Sequence, residues 1–381
     1  MRIQSPGTLQ IVVKLFNRMK KKRGEKMILF ILILLMIIIS NAEIAKPDTF
    51  NMEYISIRQT NVIKGIFVIL VLLSHGSSYL NLTGVLDTPY KSLQSHLGQM
   101  VVSMFLFYSG FGMIKSIMKK RFGYIKTLPV KRFLIVVLNF DIAVILFEIM
   151  NIFLKIHFDW KTILLSFTGW VGIGNSNWYM FDIFVLYILL FVSFYFLKWF
   201  DKEFSLYIGM LIFTILSIAF VYWEIKVGEP AWFYNTIILF ALGGWFALFQ
   251  EQIERIVMRN DYVYIVLGAI MAVLYWISFK NRIYGIKAYS VWACLFTLAV
   301  VMITMKISIK STVLEWIGKR VFSIYILQRI PMIILTKTGF TQNSPYTFFV
   351  LVFLITLGIA VIFDYMVGKL DNVIVKHLVK E

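Results

Sequence analysis

Long apolar runs separated by short polar connections set the pattern of this chain. A helix needs about 20 apolar residues to cross a hydrocarbon layer about 30 Å thick. Windows of that kind predict ten helices after residue 60, near Val62–Leu80, Gly98–Ile114, Phe133–Phe153, Trp178–Trp199 and Phe204–Trp223, then near Trp232–Phe249, Tyr262–Phe279, Ala288–Met305, Val321–Leu335 and Tyr346–Val367. Tyr and Trp gather at many of the predicted ends (Trp178, Tyr179, Trp199, Trp223, Trp232), as an interfacial belt requires. The connections are too short for a separate soluble domain. The expected fold is all-α and polytopic, with ten core transmembrane helices in residues 58–381 and a short C-terminal tail.

The first 57 residues follow a different pattern. Residues 1–26 carry a basic run, Lys20, Lys21, Lys22, Arg23 and Lys26, and an apolar stretch follows from Met27 to Ile39. At 13 residues that stretch is short for a span. The pattern favours a cytoplasmic basic arm followed by a shallow or re-entrant helix. A true eleventh span is the alternative, and a signal peptide cleaved near Ser40-Asn41-Ala42 is a weaker one.

Composition agrees with a membrane location. Of 381 residues 60% are hydrophobic, with mean hydropathy +0.80, against 45–50% apolar in soluble domains. The single cysteine, Cys294, rules out an internal disulfide and sits in an apolar run as a small hydrophobe. The four histidines, His75, His96, His157 and His377, show no metal-ligand spacing, so no metal is expected. A formal charge of +18 would suggest nucleic acid in a soluble protein, but here its location decides. Twenty lysines and arginines fall on the side that precedes Val62, eight on the opposite side. By the positive-inside rule the Lys64 end of the first core helix and the C-terminus are cytoplasmic, and the basic groups there face anionic lipid rather than nucleic acid.

Two ionisable residues interrupt the first core helix. Lys64 and His75 lie eleven positions apart in KGIFVILVLLSH, with no other ionisable group between them. Eleven residues make three turns, so both leave one face, about 16 Å apart along the axis. An imidazole or ammonium at that depth is costly unless it faces a polar cavity or a partner, which makes both candidate functional residues. The structural alternatives are a snorkelling lysine and a histidine hydrogen-bonded between helices.

Five segments in order resemble acyltransferase family 3, the integral-membrane O-acyltransferases that modify bacterial surface polysaccharides and related glycans. They are Lys64 to His75, with Lys where many members carry Arg; MFLFYSGFGM from Met104 to Met113; LPVKRF, with Lys131 and Arg132; NWYMFDIFVLY from Asn177 to Tyr187; and WIGKRVFSIYILQRIP from Trp316 to Pro331. The resemblance covers roughly residues 58 to 367. It departs at Gln328, where the family carries a late histidine. A glutamine donates and accepts hydrogen bonds but cannot shuttle a proton, which puts the weight on His75.

The resemblance implies transfer of an acyl group, chiefly acetyl, from cytoplasmic acyl-CoA to a hydroxyl of a cell-surface or lipid-linked saccharide, in a bacterial plasma membrane. Acetyl-CoA is then a substrate and no bound cofactor is expected. A neutral imidazole can accept the hydroxyl proton at cellular pH, so His75 is the expected general base, with an acyl-enzyme as a variant. Lys64 would hold negative charge on the donor or on the carbonyl oxygen. Arg132, Lys131 and Arg329 are the expected donor-phosphate contacts. Arg329 lies in an apolar run and should otherwise meet a carboxylate, with Asp182, Asp141, Glu148 and Asp364 as candidates. Ser109, Tyr108, Trp178, Tyr179, Tyr325 and Gln328 are expected to line the cavity. Ser109 lacks a G-x-S-x-G elbow, so Ser109-Gly110 is expected to serve helix packing rather than nucleophilic attack. The glycine- and asparagine-rich stretch from Gly169 to Asn177 reads as a flexible loop, and His96, His157 and His377 as loop or tail residues without a role. A transporter or flippase of glycan or lipid is the competing class; it should show paired interrupted segments in two halves, and no such repeat is visible.

Overall fold

The computed structural model describes residues 27–80, 82, 87–339 and 345–379. The predicted basic arm, residues 1–26, lies outside them. Among the described residues nine helical segments are long and apolar enough to cross a membrane, in the order expected. They comprise α2 (Ile57–Ser77), α3 (Asp87–Leu97) joined to α4 (Met100–Lys120), α5 (Ile135–Phe153), α6 (Trp178–Phe194), α7 (Ser205–Val227), α8 (Ile238–Leu248), α9 (Asp261–Asn281), α10 (Ile286–Lys306) and α14 (Pro345–Leu378). A short helix, Ala231–Tyr234, leads into α8, and a π-helical turn, Pro129–Leu134, leads into α5.

The ninth predicted span, near Val321–Leu335, differs. Preceded by α11 (Thr312–Gly318), its residues form α12 (Val321–Leu327) and α13 (Arg329–Lys337), with the join between them at Gln328. Pro331 has no N–H to donate to Leu327, so continuous helix would lose a bond there. The segment therefore enters the bundle as a broken helix rather than a single span.

The apolar stretch after the arm is α1 (Ile28–Ser40), followed by strand β1 (Ala42–Ile44). Near its start the Met27 N–H donates to Asp87 Oδ1 at 3.2 Å, and Phe30 packs on Phe349, the ring that meets Gly76. Beyond its other end β1 pairs antiparallel with β2 (Ile307–Ile309), Ala42 opposite Ile309, and the Ile309 N–H donates to Gln59. Residues 76 and 59 lie at opposite ends of α2. The helix thus runs in the direction opposite to α2, and at 13 residues it is shorter than the nine candidate spans.

Glycines set two crossings. A Cβ on Gly65 would stand 2.1 Å from the Leu314 carbonyl oxygen, and one on Gly318 only 1.7 Å from that of Asn61, so α2 and α11 touch backbone to backbone. The motif glycine beside Lys64 and the motif glycine beside Lys319 are therefore one contact. Gly110 and Gly243 do the same for α4 and α8, each facing a carbonyl oxygen of the other helix at 2.0 Å. Small residues at such crossings let helices approach closely where lipid offers no hydrophobic drive, and Gly110 is the packing residue its motif suggested.

Candidate active site

Two cavities enter the bundle from opposite ends. The larger, about 780 Å³, lies at the Lys64 end and is lined from α2, α4, α5, α6, α11 and α12. Its polar wall includes Lys64, Arg132, Ser109, Tyr108, Tyr179 and Tyr325, so six residues from five helical segments converge. Lys64 Nζ donates to Asn61 Oδ1 at 3.2 Å, one turn back on the same face, which aims the ammonium along the wall. Arg132, at the start of the third span, donates from Nε to the Tyr124 hydroxyl at 3.3 Å. Lys115 and Lys319 complete the cationic mouth. Lys131, next to Arg132 on the π-turn, does not line the cavity.

His75 lines the second cavity, about 420 Å³, with Gln94, Gln99, Lys91, Trp178 and Trp232 among its walls. Its Nδ1 is buried and has no hydrogen-bond partner, so the ring is held by packing. The two cavities approach at a pair of tyrosines. The Tyr325 ring centroid is 6.2 Å from that of His75, and Tyr179 is 5.2 Å from Tyr325. Both tyrosines face the larger cavity, whereas Trp178, next to Tyr179, faces the smaller. A septum of three rings thus separates the spaces, and Lys64 and His75, three turns apart on α2, serve different sides of it.

Other expectations resolve differently. Gln328 lines neither cavity; it is fully buried and its amide donates to the Tyr325 carbonyl at 3.2 Å, which fixes the helix break behind the septum. Arg329 stands away from the larger cavity and pairs with none of the four proposed carboxylates. Its Nε donates to Ser176 Oγ at 3.0 Å, and its charge acts on both His75 and Tyr325. Asp364 instead meets Arg320 at 3.4 Å and accepts from Ser323, while Asp182 faces Glu224 with both residues fully buried. Asp141 and Glu148 each keep an unpartnered oxygen. The glycine-rich stretch is tied down rather than loose. Asn151 donates to the Ile173 carbonyl at 2.9 Å, Asn175 accepts from the Ile173 N–H at 2.9 Å, and Asn177 donates to the Gly169 carbonyl at 2.9 Å. His96 is in α3, not a loop, against Phe279 and 2.7 Å from the Tyr275 hydroxyl, and His377 closes the last turn of α14.

Residues that the sequence did not single out are Asn61, Gln94, Gln99 and Lys91, while Trp232, read as an interfacial-belt residue, lines the His75 cavity. Only Asn61 carried a signal, three positions before Lys64 on the same helical face. Among the described residues no group of three or more His, Cys, Asp or Glu is placed to hold a metal ion.

The family model for an acyltransferase domain, acyltransferase family 3, matches residues 57–365. The chain belongs to this family. It is a multi-pass membrane acyltransferase, and the match takes in both cavities and the septum between them. Comparison with curated proteins and with solved structures finds no match.

Proposed function

We propose that this acyltransferase moves an acetyl group from acetyl-CoA, bound in the Lys64 cavity, to a saccharide hydroxyl presented in the His75 cavity. The observation that carries the reading is the meeting of two cavities from opposite ends at His75, Tyr325 and Tyr179. The donor suits the larger space, because Lys64, Arg132, Lys115 and Lys319 supply cations for its phosphates while Phe105 and Phe111 supply apolar wall. The acceptor suits the smaller space, where Trp178 and Trp232 offer faces for a sugar ring and Gln94, Gln99 and Lys91 offer donors to its hydroxyls.

In the transfer the acceptor oxygen forms a bond to the thioester carbonyl carbon and the carbon–sulfur bond breaks. His75 takes the hydroxyl proton as the new bond forms, a role worth on the order of 10²–10⁴ in rate. The departing thiolate ends as the thiol of coenzyme A once that proton is returned. Lys64 lies on the donor side, where an ammonium offsets charge on the donor or on the developing oxyanion.

The positive-inside count supports a Lys64 cavity and a C-terminus on the cytoplasmic side, where acetyl-CoA is made, and the family resemblance supports a bacterial plasma membrane. The acceptor is then a cell-surface or lipid-linked glycan reached from the other face. The test is incorporation of label from radiolabelled acetyl-CoA into extracted surface glycan, comparing wild type, His75→Ala and Lys64→Ala at matched membrane levels. Label lost with His75→Ala supports the reading. Equal label in all three removes His75 from the chemistry, and absence of label in wild type favours a transporter that uses the same two openings.

A further inference from the structure

The polar wall of the His75 cavity is rich in donors and poor in negative charge. Lys91, Gln94 and Ser95 lie on one face of α3, and all three line the cavity. Among the described residues no Asp or Glu lines it. Asp87, the one carboxylate on α3, is buried at the start of the helix, where it accepts from the Met27 N–H. Lys91 is exposed and has no carboxylate within ion-pair distance among the described residues. Gln99 adds a second donor: its Oε1 accepts from Asn235 Nδ2 at 3.1 Å, and its Nε2 has no partner.

The charges behind the wall have the same sign. The Arg329 charge acts on His75, and among the described residues no carboxylate does. Arg282, 3.8 Å over the Phe279 ring, acts on His96, on the side of α3 that meets α9. A neutral sugar hydroxyl donates as well as accepts, so a site for neutral rings pairs its protons with carboxylates or carbonyls. Here Gln94, whose Nε2 is engaged by Ser77 at 2.7 Å, leaves its Oε1 for a hydroxyl, but the charge on the wall is all positive. An ionised carboxylate or phosphate only accepts, and its bonds to an ammonium are the strong, charge-assisted kind.

We propose that the acceptor is an acidic saccharide, whose carboxylate or phosphate pairs with Lys91 while a hydroxyl of the same ring or its neighbour meets His75. The proposal rests on the acceptor reading above and narrows its substrate class. Lys91 and His75 line one cavity of about 420 Å³, which keeps the anion close to the reacting hydroxyl. Complementary charge of this kind selects among glycans more than it strengthens binding to all of them. A uronate carboxylate and a phosphodiester share the chemistry, and the test separates them.

Protein in phosphatidylcholine nanodiscs is titrated with extracted surface glycan, freed of acetyl groups by mild alkali. Binding is followed by tryptophan fluorescence, since Trp178 and Trp232 line the cavity. The glycan is used intact, after carbodiimide–borohydride reduction of its carboxylates, and after hydrofluoric-acid cleavage of its phosphodiesters. Intact glycan should bind saturably, and one treatment should weaken it about tenfold, the scale of one charge-assisted hydrogen bond. The treatment that does so names the anion. Lys91→Gln should bind intact glycan about tenfold more weakly and respond to neither treatment, while Lys91→Arg keeps the preference. Lys280→Gln, at an exposed lysine outside the cavity, should bind like wild type, which separates a site from attraction to a basic surface. Melting curves identify any variant that fails to fold. Affinity unchanged by both treatments, a preference that survives Lys91→Gln, an equal loss with Lys280→Gln, or no saturable binding would overturn the proposal. Label from acetyl-CoA entering the treated glycans as fast as the intact one would also overturn it, while leaving the transfer reading in place. Binding as expected without label transfer would keep the acidic-glycan site and remove the transfer reading.

Discussion

Tyr325 stands between the two ends of the bundle, its ring 6.2 Å from that of His75 while its other side lines the cavity that holds Lys64. Its hydroxyl is buried without a hydrogen-bond partner, so the ring matters more as a wall than as an anchor. Tyr325→Phe keeps the wall and should change acetyl transfer by less than about tenfold, because the lost hydroxyl makes no bond. Tyr325→Ala removes it. The expected result is acetyl-CoA hydrolysis without acceptor, measured as free thiol release, rising above wild type as water gains the thioester. Equal hydrolysis in both variants would show that the septum lies elsewhere.

The α2–α11 crossing leaves no space at either glycine. A methyl at Gly65 or Gly318 meets a carbonyl oxygen of the other backbone, which cannot rotate away. Gly65→Ala and Gly318→Ala should each cost about 1–3 kcal/mol, the usual cost of overpacking, seen as a lower melting temperature in detergent. Gly112→Ala on α4 is the control, since nothing lies within 4 Å of the place its methyl would take, and it should melt like wild type.

Arg132 and Lys64 share a wall but differ in geometry. Arg132 is a planar fork and Lys64 a point charge. Arg132→Lys should raise the KM for acetyl-CoA about tenfold, losing one good bidentate phosphate contact, with little change in kcat. Lys64→Ala should lower kcat as well, if its ammonium meets charge that develops during transfer. Steady-state kinetics with a fixed acceptor separate the two.

Glu315 on α11 lies outside the membrane spans and meets Lys319 at 2.6 Å and Arg58 at 3.4 Å. The hydrogen bond from Lys319, followed by the charges of Lys319 and Arg58, holds its carboxyl below the usual glutamate range. A carboxyl depressed in the folded state adds stability above its unfolded pKa, near 4.3, and that stability is lost as pH falls through the folded value. Wild type should therefore lose more melting temperature between neutral pH and about pH 3 than Glu315→Gln, whose acid limb is flatter. Parallel curves would show that this pair adds nothing measurable.

The sequence showed most of the helices, because a membrane span is written in length and hydropathy alone. It also pointed to Lys64, whose charge interrupts an apolar run, and through the resemblance to Arg132, and both line the larger cavity. It could not show that Lys64 and His75 face different spaces, since helical spacing fixes a shared face of α2 but not what packs against each turn. Arg329 was misread for the same reason. An arginine in an apolar run demands a polar partner, yet Ser176, 153 positions away, satisfies it as well as a carboxylate would. Trp232 and Gln99 carried no local signal, because an interfacial tryptophan and a helix-end glutamine are common wherever a span begins. The broken segment looked continuous because hydropathy does not register the single bond that Pro331 cannot make.

Clefts entering from both faces also change the electrical profile of the bilayer. Where water fills them, the membrane voltage no longer falls evenly over about 30 Å but is concentrated across the three rings of His75, Tyr325 and Tyr179. A proton moved across that short distance feels nearly the whole potential, about 2.3 kcal/mol for each 100 mV. The thinnest part of the protein is thereby also its insulator, and a side chain lost from it would leak current as well as water.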